Sequence, residues 1–271
     1  MAAKTELASV SIVGDREVNE DYCASFARGR AATLIVCDGM GGSERGDIAS
    51  RGFGEAVLAR AQVLLLGKYS TRDDARIMLT RAFELGAQGL REAVAANSPG
   101  ADSKTTAVVA VALPTVIAVG HLGDSRACLV TEQGLAWRTR DHSLVQMLVE
   151  EGEVAEADMG THPDQGKLFK FIDADRDDPP SVQVYDPLHQ GQVLLLCSDG
   201  FWEYTPPRDM AQLCRTDNLQ GTLTALADTA CERAAGRSDN VTAVALRMSP
   251  RGLLERTLGV VTGLLGRGER H

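Results

Sequence analysis

Residues 105–139 read TTAVVAVALPTVIAVGHLGDSRACLVTEQGLAWRT. Apolar runs from Thr105 to Ala112, Thr115 to Val119 and Ser125 to Val130 predict strands, and Leu135 to Thr139 predicts a shorter one. Pro114 and Glu132-Gln133-Gly134 divide them. The links are too short for a parallel crossover, which takes about a dozen residues or more, so neighbouring strands run antiparallel.

Working outward, strands are expected at Leu7 to Val13, Tyr22 to Phe26, Ala31 to Cys37, Ser181 to Tyr185, Gln192 to Cys197 and Val241 to Arg247. Helical spacing runs from about Gly46 to Leu66, Ala75 to Ala96, His142 to Glu151 and Leu219 to Ala235. Gly86 and Gly89 weaken the second of these, because glycine disfavours a helix interior. Strands, two long helices, many strands and a late helix do not alternate as a parallel fold would. Antiparallel sheets covered by helices are expected. Residues 152–180 are polar and broken by His162-Pro163, Gly166 and Pro179-Pro180, which reads as a flap. Residues 1–249 form the expected domain, flap included, and residues 250–271 a basic, partly apolar tail that reads as a short helix.

The chain has 271 residues, is 44% hydrophobic and carries a net charge of -9. It can bury a sizeable core, and disorder describes it poorly. The acidic balance argues against nucleic acid as a partner. It does not exclude a phosphorylated substrate, because bound cations and a local arginine reverse the field inside a site. Six scattered cysteines lack a Cys-x-x-Cys pair, and Cys37 and Cys197 sit in apolar runs. They read as buried hydrophobes in a reducing cytoplasm rather than as a disulfide frame or zinc site. The first residues lack the apolar core of a signal peptide, and no membrane span is expected.

The chemistry collects where strands end. Asp38 follows Leu34-Ile35-Val36-Cys37, Asp199 follows Leu194-Leu195-Leu196-Cys197-Ser198, and both precede glycine. Asp124 lies between two strands, Asp239 opens the last one, and Glu20-Asp21 precedes another. Taken singly, each is also what a turn aspartate or cap looks like. Converged, they would repel one another unless a hard divalent cation joined them.

The ordered set decides between these readings. Arg16-Glu17-Val18-Asn19-Glu20-Asp21, Asp38-Gly39-Met40-Gly41-Gly42, Gly123-Asp124-Ser125-Arg126, Asp141-His142-Ser143, Ser198-Asp199-Gly200 and Ser238-Asp239-Asn240 together resemble bacterial PP2C-type (PPM) metal-dependent serine/threonine protein phosphatases. The similarity covers roughly residues 6–248. It implies an α/β fold, an α-β-β-α sandwich of two mainly antiparallel central sheets flanked by helices. It implies two Mn²⁺ or Mg²⁺ ions, with room for a third. Asp38 would bridge the pair and the Gly39 carbonyl would help hold one ion. Glu20, Asp199 and Asp239 would hold the other, with Asp21 as a nearby or alternative ligand. Asp124 would join Asp199 at the third site, and Arg16 would clamp the phosphate. The implied reaction is attack of a metal-activated water on phosphoserine or phosphothreonine. The implied partners are a phosphorylated protein and a cognate Ser/Thr kinase, and the sequence carries no signal for oligomeric state.

Some positions depart from the pattern. Met40 stands where some relatives carry a histidine that can protonate the leaving oxygen, and methionine cannot. His142 reads as a residue that orients a loop or hydrogen-bonds a core acid rather than as a chemical one. After His162-Pro163 the flap is acidic where relatives are often basic, which fits either altered substrate preference or surface drift. These departures leave two alternatives: a catalytically weak phosphatase-like binding module, and a hydrolase of small phosphoesters.

Overall fold

The computed structural model describes residues 4–40, 45–66, 71–176 and 178–249. In chain order the strands and helices are β1 (Lys4–Ile12), β2 (Asp21–Arg28), β3 (Ala31–Met40), α1 (Gly46–Leu66), α2 (Arg72–Asn97), β4 (Lys104–Thr105), β5 (Ala107–Ala112), β6 (Ile117–Leu122), β7 (Arg126–Thr131), β8 (Gly134–Arg138), α3 (Leu144–Glu150), β9 (Ser181–Tyr185), β10 (Val193–Cys197), α4 (Asp199–Trp202), α5 (Pro207–Met210), α6 (Gln212–Arg215), α7 (Leu219–Ala234) and β11 (Val241–Ser249). One sheet has the order β1-β11-β10-β7-β8, and the other β2-β3-β5-β6-β9 with β4 beside β3. Neighbouring strands within both sheets are antiparallel. The expected architecture is the one observed.

The strand sequences explain the layering. β5 (AVVAVA) and β10 (VLLLC) are buried along their whole length. A strand covered on both faces has no polar side to show, so it reads as a continuous apolar run. Leu34, Val36, Leu194, Leu196, Val244 and Leu246 fill the space between the sheets. Ile35, Cys37, Val109 and Val111 face the other way, onto α1 and α2. Leu195, Cys197, Ala243 and Ala245 pack with α7. Each fully buried leucine contributes roughly 1.5–3 kcal/mol through burial.

The glycines of α2 have a packing role that outweighs their poor propensity. A β-carbon on Gly86 would come within 2.4 Å of the Phe53 ring, and one on Gly89 within 2.4 Å of Ala56. They let α1 and α2 approach, and Phe53 meets Phe83 edge-on at 5.3 Å.

Three differences from the sequence reading matter for the site. β3 runs on through Asp38 and Gly39 to Met40, because Gly39 and Met40 pair with β4. The stretch expected as one strand from Thr105 breaks at Thr106 into β4 and β5. The third concerns the stretch read as a flap: it holds a 3₁₀ helix (Glu156–Thr161) and bridges back to the core through Ser143↔Leu168 and Thr105↔Ile172. The tail expected as a helix lies outside the described residues. Among those described, no helix is long and apolar enough to cross a membrane.

Candidate metal centre

Asp21 and Asp38 are direct cross-strand partners on β2 and β3. Asp199 starts α4 immediately after β10, and Asp239 precedes β11, the neighbour of β10. Asp124 sits in the β6–β7 turn. Strands from both sheets thus deliver acids to one shared edge.

The acids raise one another's pKa. Burial raises the Asp38 carboxyl well above the usual range, and Asp21, Asp199, Asp124 and Asp239 raise it further. Burial also raises Asp21, with Asp199 and Asp239 adding to it, and Asp124, with Asp199 and Asp141 adding to it. Asp199 shifts up by burial and the charge of Asp239, while Asp38, Gln165 and the Gly200 amide oppose that shift. One Asp21 oxygen accepts from Ser198 Oγ at 2.8 Å, while its buried Oδ1 has no hydrogen-bond partner. Crowded carboxylates and an orphaned buried oxygen suit a hard divalent cation, and the oxygen-only donor set suits Mg²⁺ or Mn²⁺. As placed, no three acidic, histidine or cysteine side chains among the described residues form a finished metal cage. Closing on an ion would draw the acids inward.

Glu20 is turned toward the start of α1. Its Oε1 accepts the Gly46 amide at 3.0 Å, and its carbonyl accepts Gly39 N at 3.1 Å and Ser50 Oγ at 2.6 Å. Its carboxyl is raised by burial, while the Gly46 amide opposes that shift. Gly39 allows this crossing, because a β-carbon there would stand 2.4 Å from the Gly46 carbonyl oxygen. Arg16 reaches Asp239, with Nη2 2.7 Å from Oδ2. The loop bearing Arg16 is stapled to residues 238–240: Asp15 N donates to Ser238 O and Ser238 N to Asp15 Oδ2.

Asn240 is a positioning residue the sequence reading quoted in a motif without giving it a role. Its Oδ1 accepts Glu20 N at 2.7 Å, and its Nδ2 donates to Val13 O at 2.8 Å and Val18 O at 3.0 Å. Glu203 was missed altogether. Burial, then Asp199, Asp124 and Asp239, push its carboxyl up to about 9. Its position four residues after Asp199, on one helical face, was the available signal.

Behind Asp124, Arg126 makes a buried two-pronged ion pair with Asp141 and stacks 3.3 Å over Trp202. Trp202 Nε1 donates to the Asp124 carbonyl at 3.0 Å. His142 orients this loop, as expected: its Nδ1 accepts Gly123 N at 3.2 Å and its Nε2 donates to Ser181 Oγ at 2.9 Å. Burial and the neighbouring His121 lower its pKa to about 3, so the ring is neutral. From the flap, Gln165 Nε2 reaches Asp199 Oδ2 at 3.4 Å. Cys231 and Arg237 have the Cys-x5-Arg spacing of a cysteine phosphatase, but Cys231 lies within α7. Helical amides there are already bonded and cannot cradle a phosphate.

Two packed antiparallel sheets covered by helices carry acids gathered at their shared edge. The chain belongs to the protein phosphatase 2C family, whose model matches residues 11–234. It is 28% identical over 241 residues to the serine/threonine phosphatase stp of Listeria monocytogenes, covering 84% of this chain and 89% of that one. Its fold superposes on the serine/threonine phosphatase Stp1 of Staphylococcus aureus with a TM-score of 0.79 at 23% identity, covering 92% and 97% of the two chains. A third match is the catalytic domain of the phosphatase PstP in complex with two manganese ions (TM-score 0.74, 23% identity, covering 92% and 100%).

Proposed function

We propose that this chain removes phosphate from phosphoserine and phosphothreonine in proteins, with Asp38 at the centre of its reacting site. The cross-strand pair of Asp21 and Asp38, with one buried Asp21 oxygen left without a hydrogen-bond partner, carries this reading within the family shown above. Asp38, the Gly39 carbonyl, Asp199 and Asp239 would hold two Mn²⁺ or Mg²⁺ ions, aided by Glu20 and Asp21. Asp124 and Asp199 would serve a third. Bound divalent cations lower the pKa of a water and orient it toward phosphorus.

The chain's own groups do the rest. Arg16 leaves Asp239 for the substrate phosphate and offsets charge on its outer oxygens. Asn240 holds the loop that presents Arg16. Met40 donates no proton, so water protonates the leaving seryl or threonyl oxygen. The manganese-bound relative supports the metal assignment. The six free cysteines fit a reducing cytoplasm, and a cognate Ser/Thr kinase would make the proposed substrate.

Stripping the purified chain of metal should abolish phosphate release from a phosphothreonine peptide, and Mn²⁺ or Mg²⁺ should restore it. Full activity after stripping would refute the proposal. A higher kcat/KM on phosphopeptide than on p-nitrophenyl phosphate is expected, and the reverse would favour a small-phosphoester hydrolase.

A further inference from the structure

The flap's return limb meets the core at Thr105, which is fully buried. Thr105 N donates to Ile172 O at 2.9 Å, and Ile172 N donates to Thr105 O at 2.9 Å. Both main-chain groups of Thr105 therefore serve the flap. Its side chain serves β3 instead. Thr105 lies opposite Gly39, and its Oγ1 is 3.0 Å from the Asp38 carbonyl oxygen and 2.7 Å from that of Thr106. A hydroxyl has one proton, so these two carbonyls share it. Thr106 N also donates to Asp38 O, at 2.8 Å.

The same flap touches the acid cluster at a second point, where Gln165 reaches Asp199. Beside the root, the Phe171 ring is held between Lys104, 5.3 Å from its centroid, and Arg176, at 4.7 Å. The return limb is thus anchored at Phe171 and Ile172, and the Thr105 hydroxyl, beside the Thr106 amide, ties that anchor to the backbone of Asp38.

We propose that Thr105 is a positioning residue that couples the flap to Asp38. Its hydroxyl fixes the Asp38 backbone relative to Ile172, so the aim of the Asp38 carboxylate and the seating of the flap change together. The inference rests on Asp38 being a metal ligand. Coupling between two sites is reciprocal, so an ion held by Asp38 must also steady the flap.

The test compares the full-length chain with Thr105→Val, which keeps shape and loses the hydroxyl, and Thr105→Ser, which keeps the hydroxyl. Mn²⁺ binding is followed by calorimetry, and amide hydrogen exchange at Thr105 and Ile172 with and without Mn²⁺. In the parent chain Mn²⁺ should slow exchange at both amides. Thr105→Val should weaken Mn²⁺ binding by about tenfold and lose that slowing, while Thr105→Ser stays within about twofold of the parent. Val binding Mn²⁺ like the parent, or Ser failing as badly as Val, would overturn the proposal. So would unchanged amide exchange in a parent chain that calorimetry shows to be loaded, an arm that needs no variant to fold. A parent chain that takes up no Mn²⁺ would instead sink the metal reading beneath it.

Discussion

Arg16 Nη2 lies 2.7 Å from Asp239 Oδ2, with the two side chains 61% and 41% exposed. The arginine proposed to bind phosphate is thus paired with an acid proposed to bind metal. Drawing Asp239 onto a cation would release the arginine toward substrate, so one event prepares both halves of the site.

Exposed ion pairs contribute at most about 1 kcal/mol to stability. Arg16→Ala should therefore leave the melting temperature nearly unchanged. It should lower kcat/KM on a phosphopeptide by roughly 10²–10³-fold, as losing one group that stabilises transition-state charge does. Arg16→Lys should recover part of the loss, because lysine keeps the charge without the fork. Steady-state kinetics beside a thermal melt separates the two effects.

Asp38 carries the opposite balance. Its carboxyl is buried among like charges, so in the metal-free chain it is a cost. Asp38→Asn should raise the melting temperature of the metal-free protein and reduce turnover by at least about 10³-fold. A variant that melts earlier and still turns over would contradict the assignment.

His142 predicts a pH dependence. Its folded pKa of about 3 lies below the unfolded value of 6.5. Between those values the unfolded chain binds the extra proton, so this contribution is present above pH 6.5 and is lost as pH falls. From pH 6.5 to 5 the loss from this group is about 2 kcal/mol. His142→Asn keeps an acceptor for the Gly123 amide without titrating there. Denaturant unfolding at both pH values should show a smaller loss in that variant than in the parent chain.

Asn240→Ala would strand Glu20 N, Val13 O and Val18 O together. A cost of roughly 1–3 kcal/mol is expected, set by the part-buried Glu20 amide, because Val13 and Val18 are exposed enough for water to replace the lost bonds. Because the Arg16 loop loosens with it, KM for phosphopeptide should rise as well. Chemical denaturation and kinetics on one preparation check both outcomes.

The strands were legible because covered strands such as Leu194 to Cys197 are continuously apolar, and the Asp-Gly steps marked where they end. The roles of Gly86 and Gly89 were not, since what they admit is a ring and a methyl from α1, distant in sequence. Asn240 stayed silent for the same reason: its partners lie more than 200 residues away. The short helix from Asp199 hid Glu203, because a single turn leaves too few residues for periodicity to register. The flap's anchors at Ser143 and Thr105 are backbone bridges, which side-chain pattern does not encode.

The most direct measurement is anomalous diffraction from crystals of the chain grown with Mn²⁺. Two manganese peaks, with Asp38 within coordinating distance of both and Asp199 and Asp239 on one, are expected. Crystals with no peak near Asp38, or with manganese confined to surface carboxylates, would contradict the account.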